Sequence, residues 1–301
     1  MGPNDTFATS LQAVPDAHVL AVTQDTLLES VHFFGDTPAF DVGFKSAVAN
    51  LSDLAAMGAE AAWLHVVVHG TSGQHSTDAT SRTWLERFEQ GFFAACDVEG
   101  LVLRLEAAPA PSLRITVVAG GHVPSGQALK RNGARAGDLL AVTGTLGDAG
   151  GALNLLYEGV FSTHFTDHQD LRARLDRPTP RLAAGIALRS IARAAMDISD
   201  GLAGDVAHLL HGGLGAYIES TSLPLSAPLV RVMGLPFATQ LALSAGDDYE
   251  LLIAVAPAAR ESAERAVKAV DTDLTWIGHL TQTGKIEIIP PLDSTPGYRH
   301  F

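Results

Sequence analysis

Six aspartates set among apolar or small residues constrain this chain more than any other feature of its sequence. Asp25 follows a short apolar run in VTQDTLLESVHF, and Asp53 sits in NLSDLAAMGA. Asp197 and Asp200 occur in MDISDGLAGD, and Asp247 and Asp248 in SAGDDYELL. A carboxylate left unpaired in such surroundings is expensive to bury. A fold that buries these segments must therefore give their acids a common compensation. Acidic points converging from four places supply an all-oxygen ligand set, which suits Mg²⁺, an ion that keeps several waters and bridges to substrate phosphates. The competing account is local: Asp200 or Ser199 caps a helix beginning near Gly201. Capping is the stronger account of Asp200 taken alone, and shared metal binding is the stronger account of the set.

The chain is long enough for two domains, with 301 residues of which 47% are hydrophobic and 18% charged. That balance excludes a disordered or fibrous polymer. With 20 Lys+Arg against 33 Asp+Glu the formal net charge is −13. Nucleic acid and anionic membrane surfaces need a basic footprint, so both are excluded as partners. A phosphorylated ligand must be reached through metal ions or a few local cations. Apolar runs stay short of the roughly 18 residues of a membrane span, and MGPNDTFATS lacks the basic and apolar regions of a signal peptide. The single cysteine, Cys96, excludes an intrachain disulfide, a four-cysteine zinc site and a CxxC redox pair, and fits a reducing cytoplasm.

Histidine is abundant, at 12 residues, with suggestive spacings at His65/His69, His164/His168 and His208/His211. The first pair falls in a predicted strand, where residues four apart share a face but stand about 13 Å apart. There is no HExxH, and zinc is disfavoured. A P-loop is excluded because GxxxxGK[ST] is missing. The run from Gly144 through Gly147 and Gly150 to Gly151 reads as a tight strand-to-helix turn rather than a phosphate cradle.

Periodicity predicts strands at His18–Val22, Ala61–His69, Leu113–Ala119, Leu139–Val142, Ala216–Ile218, Leu251–Val255 and Ile286–Ile289. It predicts a helix from an Asp41 N-cap to a stop at Gly58, and a second through Trp84, Leu85, Phe88 and Phe92 after a loop at Thr71–Ser81. Further helices are expected at Ala149–Tyr157, Pro180–Arg193 and Gly201–His211, with an extended strap at the Pro-rich tail. The turn-rich stretch Asn132–Asp138 marks the domain boundary, giving domains 1–136 and 137–301.

Seven stretches, in order along nearly the whole chain, resemble the thiamine-monophosphate kinase family: TQDTLLESVHF, NLSDLAAMGA, LKRNGARAGD, VTGTLGDAGG, MDISDGLAGD, GDDYELL and GYRHF. The resemblance implies a two-domain PurM-like fold of the aminoimidazole-ribonucleotide-synthetase-like superfamily. Its N-terminal α/β domain would dimerise through its sheet, and a C-terminal α+β domain would follow. It implies Mg²⁺-dependent transfer of phosphate from ATP to thiamine monophosphate in a homodimer; no general base is assigned, because the acceptor phosphate is already anionic. Metal ligands would be Asp5, Thr23, Gln24, Asp25, Asp53, Asp197 and Asp200. Arg131 and Ser199 would meet the nucleotide, and His32, Asp247 and Tyr298 the thiamine phosphate.

Three departures stand out. Thr6 replaces the second aspartate of the family's GxGDDAA segment, and the helix that usually precedes that segment has no counterpart. Gln24 replaces a hydroxyl residue in the pair before Asp25. The family's GGDTTRG gives way to Leu105-Glu-Ala-Ala-Pro-Ala110, with its metal-binding aspartate at Ala107 and Glu106 one residue away. These changes motivate an alternative in which the chain binds thiamine phosphate but has lost nucleotide competence.

Overall fold

The computed structural model describes residues 13–70, 79–96, 102–108, 110 and 112–291. Two sheets organise the chain. The first is built from β1 (His18–Leu28), β2 (Glu60–His69), β3 (Val102–Ala108) and β4 (Arg114–Pro124), in the order β1-β4-β2-β3. β4 runs antiparallel to both β1 and β2, and β3 is parallel to β2. Helices α1 (Ala39–Ala56) and α2 (Ala79–Ala95) cover one face. The core between them is formed by Val48, Leu51 and Leu54 of α1, Phe88 and Phe92 of α2, and the alternating inward residues Leu64, Val66, Val68, Ile115 and Val117. Gly43 and Gly91 let the helices touch through backbone, since a Cβ on either would collide with the carbonyl of Phe88 or Phe40.

The second sheet is made of β5 (Leu139–Thr143), β6 (Ala192–Ile198), β7 (Gly215–Glu219), β8 (Glu250–Val255), β9 (Leu274–Thr281) and β10 (Ile286–Ile289), in the order β10-β7-β9-β5-β8-β6. Its pairs are antiparallel except β10 with β7. Around it lie α3 (Asp148–Tyr157), α4 (Thr166–Asp176), α5 (Leu182–Leu188), α6 (Leu202–Asp205), α7 (Ala227–Met233), α8 (Leu235–Ser244) and α9 (Arg260–Lys268). This is the two-domain mixed α/β architecture expected from the sequence.

Several local expectations are corrected. β1 runs on through Asp25 to Leu28 instead of ending at Val22. Pro38, not Asp41, is the N-cap of α1; Asp41 sits in the first turn and pairs with Arg177 at 2.5 Å. The helix expected over Pro180–Arg193 stops at Leu188, and Ala192 and Arg193 open β6, where pairing with β8 overrides the helical propensity of an Ala-rich run. The helix expected over Gly201–His211 is a single turn, α6, followed by a 3₁₀ stretch Val206–Leu209. The glycine run forms the predicted tight turn: Gly147, at φ 85°, caps α3 and donates its amide to both oxygens of Asp248 at 3.0 Å. Most of the expected 71–81 loop, residues 71–78, and nearly all of the Pro-rich strap fall outside the described residues.

One helix joins the two halves. α1 is buried almost all round, including Ser46, Asn50 and Ser52. A helix wrapped on every side is packed by more than one layer. α1 meets the first sheet and α2 on one side and α4, α5 and β6 on the other. That position carries Asp53, in its last turn, up to the second sheet.

Candidate active site

A cavity of about 700 Å³ opens where α1 meets the second sheet. Asp25, His32, Asp53, Arg131, Asp197, Ser199, Asp200 and Asp247 all line it, although they are scattered over more than two hundred residues of chain. β1 alternates, so Asp25 shares the inward face with the buried Ala21 and Leu27. Asp197 lies at the end of β6, and Ser199 and Asp200 follow it into the turn before α6. Arg131 opens a 3₁₀ turn, Arg131–Gly133, between the two sheets. His32 ends the turn after β1, its Nδ1 accepting the Leu28 amide at 3.0 Å.

Asp53 and Asp197 face each other across the domain junction. Ser52 Oγ donates to Asp197 at 2.8 Å, and Thr23 Oγ1 donates to Asp53. Burial, followed by the charge of Asp53, pushes the Asp197 carboxyl up to about 7. Burial also raises Asp53, against the hydrogen bond from Thr23 and the charge of Arg131. Seven aspartates line the cavity against one lysine and one arginine. Buried like charges of this kind are what a divalent cation relieves, and a donor set of carboxylate and hydroxyl oxygens fits Mg²⁺. Among the described residues no three His, Cys, Asp or Glu side chains are drawn close enough to hold a metal ion by themselves. The acids line one cavity without closing into a cage.

The capping account of Asp200 and Ser199 is reversed. Gly201 is the N-cap of α6, and the carboxylate of Asp205 reaches back to accept the amides of Ser199 and Asp200, each at 3.0 Å. Asp205, itself raised to about 6 chiefly by burial, thereby fixes the segment that carries the two cavity residues.

With Asp205 and Tyr249, Lys45 is one of the residues that sequence reasoning missed. It is 5% exposed, lines the cavity, and pairs with Asp247 at 2.8 Å. Tyr249 Oη donates to the other Asp247 oxygen at 3.1 Å, and burial drives the Tyr249 hydroxyl well above its ordinary pKa. Asp247 and Tyr249 both hold positive φ, 67° and 52°, a conformation costly for residues other than glycine. The available signal was the position of Lys45 on the buried stripe of α1 between Val42 and Ala49, where a lysine needs a partner.

Other expected residues are not brought in. Gln24 points to the outer face of the sheet and is exposed, so the strand alternation that turns Asp25 inward turns this side chain away. Thr23 reaches the site through Asp53 and does not line the cavity. Asp248 turns from its neighbour Asp247 to hold the Gly147 turn. Glu106 and Ala107 take opposite faces of β3, and neither lines the cavity. Ala107 is registered with the buried Val68, whereas Glu106 is registered with Val67 on the opposite face and meets His65 Nε2 at 3.1 Å. Asp5, Thr6 and Tyr298 lie outside the described residues.

Family models for AIR synthase related proteins match both parts of the chain, the N-terminal domain over residues 7–130 and the C-terminal domain over 135–290. The thiamine-monophosphate kinase of Salmonella typhimurium is 36% identical over 90% of this chain and 82% of its own length. That of Escherichia coli K12 is 35% identical with the same coverage. Among solved structures, the thiamine-monophosphate kinase of Stenotrophomonas maltophilia K279a superposes with a TM-score of 0.85 at 39% identity, covering 91% of this chain and 86% of that one. AaThiL complexed with AMPPCP and TMP gives 0.82 at 28% identity, covering 96% and 89%. The E. coli hydrogenase maturation protein HypE, at 21% identity and a TM-score of 0.71, shares the fold. Two consecutive domain matches, this degree of identity over most of the chain, and a shared architecture with an acidic junction cavity lead to one conclusion: the chain belongs to the thiamine-monophosphate kinase family of AIR synthase related proteins.

Proposed function

We infer that the protein transfers the terminal phosphate of ATP to thiamine monophosphate, giving thiamine diphosphate by direct in-line displacement. The observation that carries this reading is the gathering of Asp25, Asp53, Asp197, Asp200 and Arg131 around one cavity in a chain of this family. Asp25, Asp53, Asp197 and Asp200 would hold Mg²⁺, with Asp5 completing the set by resemblance and Thr23 orienting Asp53. Bound there, Mg²⁺ supplies neutralisation of phosphate charge. Arg131 and Ser199 are assigned to the nucleotide. His32 and Asp247 are assigned to the acceptor, with Tyr298 joining them by resemblance. No side chain is assigned as a general base, because the acceptor phosphate is already anionic.

Quaternary state and location belong to the same reading. β1 is the outer strand of its sheet, and its outward side chains Leu20, Val22 and Leu28 are 44%, 52% and 38% exposed. An apolar stripe on an exposed sheet face supports a homodimer joined through that sheet. Among the described residues no helix is long and apolar enough to cross a membrane, and a buried free Cys96 suits the cytoplasm.

The test is formation of thiamine diphosphate from ATP and thiamine monophosphate at millimolar Mg²⁺, lost on chelation. No product above the buffer blank would overturn the reading. A second reading, in which nucleotide competence is lost, rests on the sequence departure at Ala107 alone. Loss of one such charge-stabilising contact costs about 10²–10³ in rate. A kinase weakened in this way gains rate in the Ala107→Asp variant, while Glu106→Gln changes nothing. The second reading expects calorimetric binding of thiamine phosphate without binding of Mg·ATP.

A further inference from the structure

We propose that Glu250 is a positioning residue for the acceptor, the centre of a buried ion triad that holds Asp247 against Lys45 across the domain junction. The proposal rests on the assignment of Asp247 to thiamine monophosphate. Glu250 opens β8 three residues after Asp247 and is fully buried. Arg181 donates to both of its oxygens, through Nε and Nη2, each at 2.6 Å. Arg174 Nη2 adds a bond at 2.8 Å and Thr143 Oγ1 another at 2.7 Å. Thr143 Oγ1 in turn accepts the Leu251 amide at 2.8 Å. Two donors on each oxygen fill the capacity of one carboxylate. Such a triad adds little stability over apolar packing of the same volume, and what it supplies instead is a fixed geometry.

The segment it anchors is strained. Asp247 and Tyr249 hold positive φ, a state that persists only where the surroundings over-determine it. On the β6 side, the amides of Asp247 and Tyr249 donate to the carbonyls of Ser199 and Ile198 at 2.9 and 2.8 Å. Glu250 fixes the exit of the turn. Its two arginines carry that anchor toward the other domain. Arg181 is the N-cap residue of α5, Arg174 belongs to α4, and both helices pack against α1. The α5 contact is made at backbone range, since a Cβ on Gly185 would collide with the Ala55 carbonyl. α1 also carries Lys45, so both members of the Lys45–Asp247 pair are referred to one carboxylate. Glu250, Arg174 and Arg181 do not line the cavity, and they act on the acceptor through that pair.

Steady-state kinetics on the full chain test this, with urea unfolding to establish that each variant is folded. Glu250→Gln keeps the shape without the charge, and Arg181→Lys keeps the charge without the paired contact. Each is expected to raise the KM for thiamine monophosphate roughly tenfold, with the KM for ATP little moved. Arg174→Met, at the partly open edge of the triad, should give a smaller rise of the same kind and takes the place of Glu250→Gln if that variant does not fold. A double-mutant cycle gives the readout that a merely structural role would leave unmoved. Lys45→Met added to Glu250→Gln, or to Arg174→Met, should raise the KM for thiamine monophosphate much less than it does in the wild type, because both changes act on Asp247. Additive effects in the cycle, equal rises in both KM values, or unchanged kinetics in the folded variants would overturn the positioning role and leave the kinase reading standing. A wild-type protein with neither turnover nor binding of thiamine monophosphate would overturn that reading and the positioning role with it.

Discussion

Asp197 couples the site to stability. Its folded pKa of about 7 stands above the roughly 3.9 of an unfolded aspartate, so the fold favours the protonated form. The stability this contributes is complete below about pH 4 and disappears as pH rises through about 7. Asp205, at about 6, acts in the same direction over a narrower window. In the absence of Mg²⁺ the Tm is therefore expected to fall between pH 5 and pH 8, and Asp197→Asn to flatten that fall. Added Mg²⁺, which needs the ionised carboxylates, should restore the Tm most at pH 8. Differential scanning calorimetry decides; a metal-free Tm that climbs over this range contradicts the electrostatics. Lys45 gives a second prediction. Lys45→Met deprives Asp247 of its ion partner inside an already acidic cavity, and the KM for thiamine monophosphate should rise about tenfold, the scale of one charge-assisted hydrogen bond. Lys45→Arg, with its longer fork, should recover part of this in the same assay.

Among the elements, α1 bears the greatest demand. It packs against α2 through two glycines, holds the inner face of the first sheet, and delivers Asp53 to Asp197. Gly91→Ala forces a methyl into the Phe40 carbonyl, and the overpacking should cost at least about 1–3 kcal/mol in urea unfolding. Because the displacement moves α1, thiamine monophosphate binding should weaken as well; unchanged stability would mean that the helices can separate freely. The strands show how much a one-residue step decides. Gln24 and Asp25 in β1, and Glu106 and Ala107 in β3, are neighbours in sequence that face opposite sides of one sheet. Residue type alone cannot report that.

For the whole molecule, the cavity exists because two sheets share one helix. Neither domain encloses it alone: the first brings Asp25, His32, Lys45 and Asp53, and the second brings Asp197, Ser199, Asp200 and Asp247. Ser52 bonded to Asp197 and Lys45 paired with Asp247 are the polar seams between them. The exposed stripe on β1 belongs to the same scale. Leu20→Glu with Val22→Glu places two charges on that face and should convert a dimer to a monomer in sedimentation equilibrium, without unfolding it. A wild-type protein that sediments as a monomer would remove the dimer from the reading.

Composition and the motif segments were enough to give two mixed α/β domains, together with five aspartates and the arginine that line the cavity. These follow from residue type and local spacing, which the chain carries wherever it folds. The Lys45–Asp247 pair, the inward turn of Asp248, the reversed cap made by Asp205, the strand at Ala192–Ile198 and the outward aim of Glu106 were settled by packing. Each depends on which segment lies alongside, at what register and on which face. Those are long-range relations, set by the joint burial of two cores around one helix, and no local pattern encodes them.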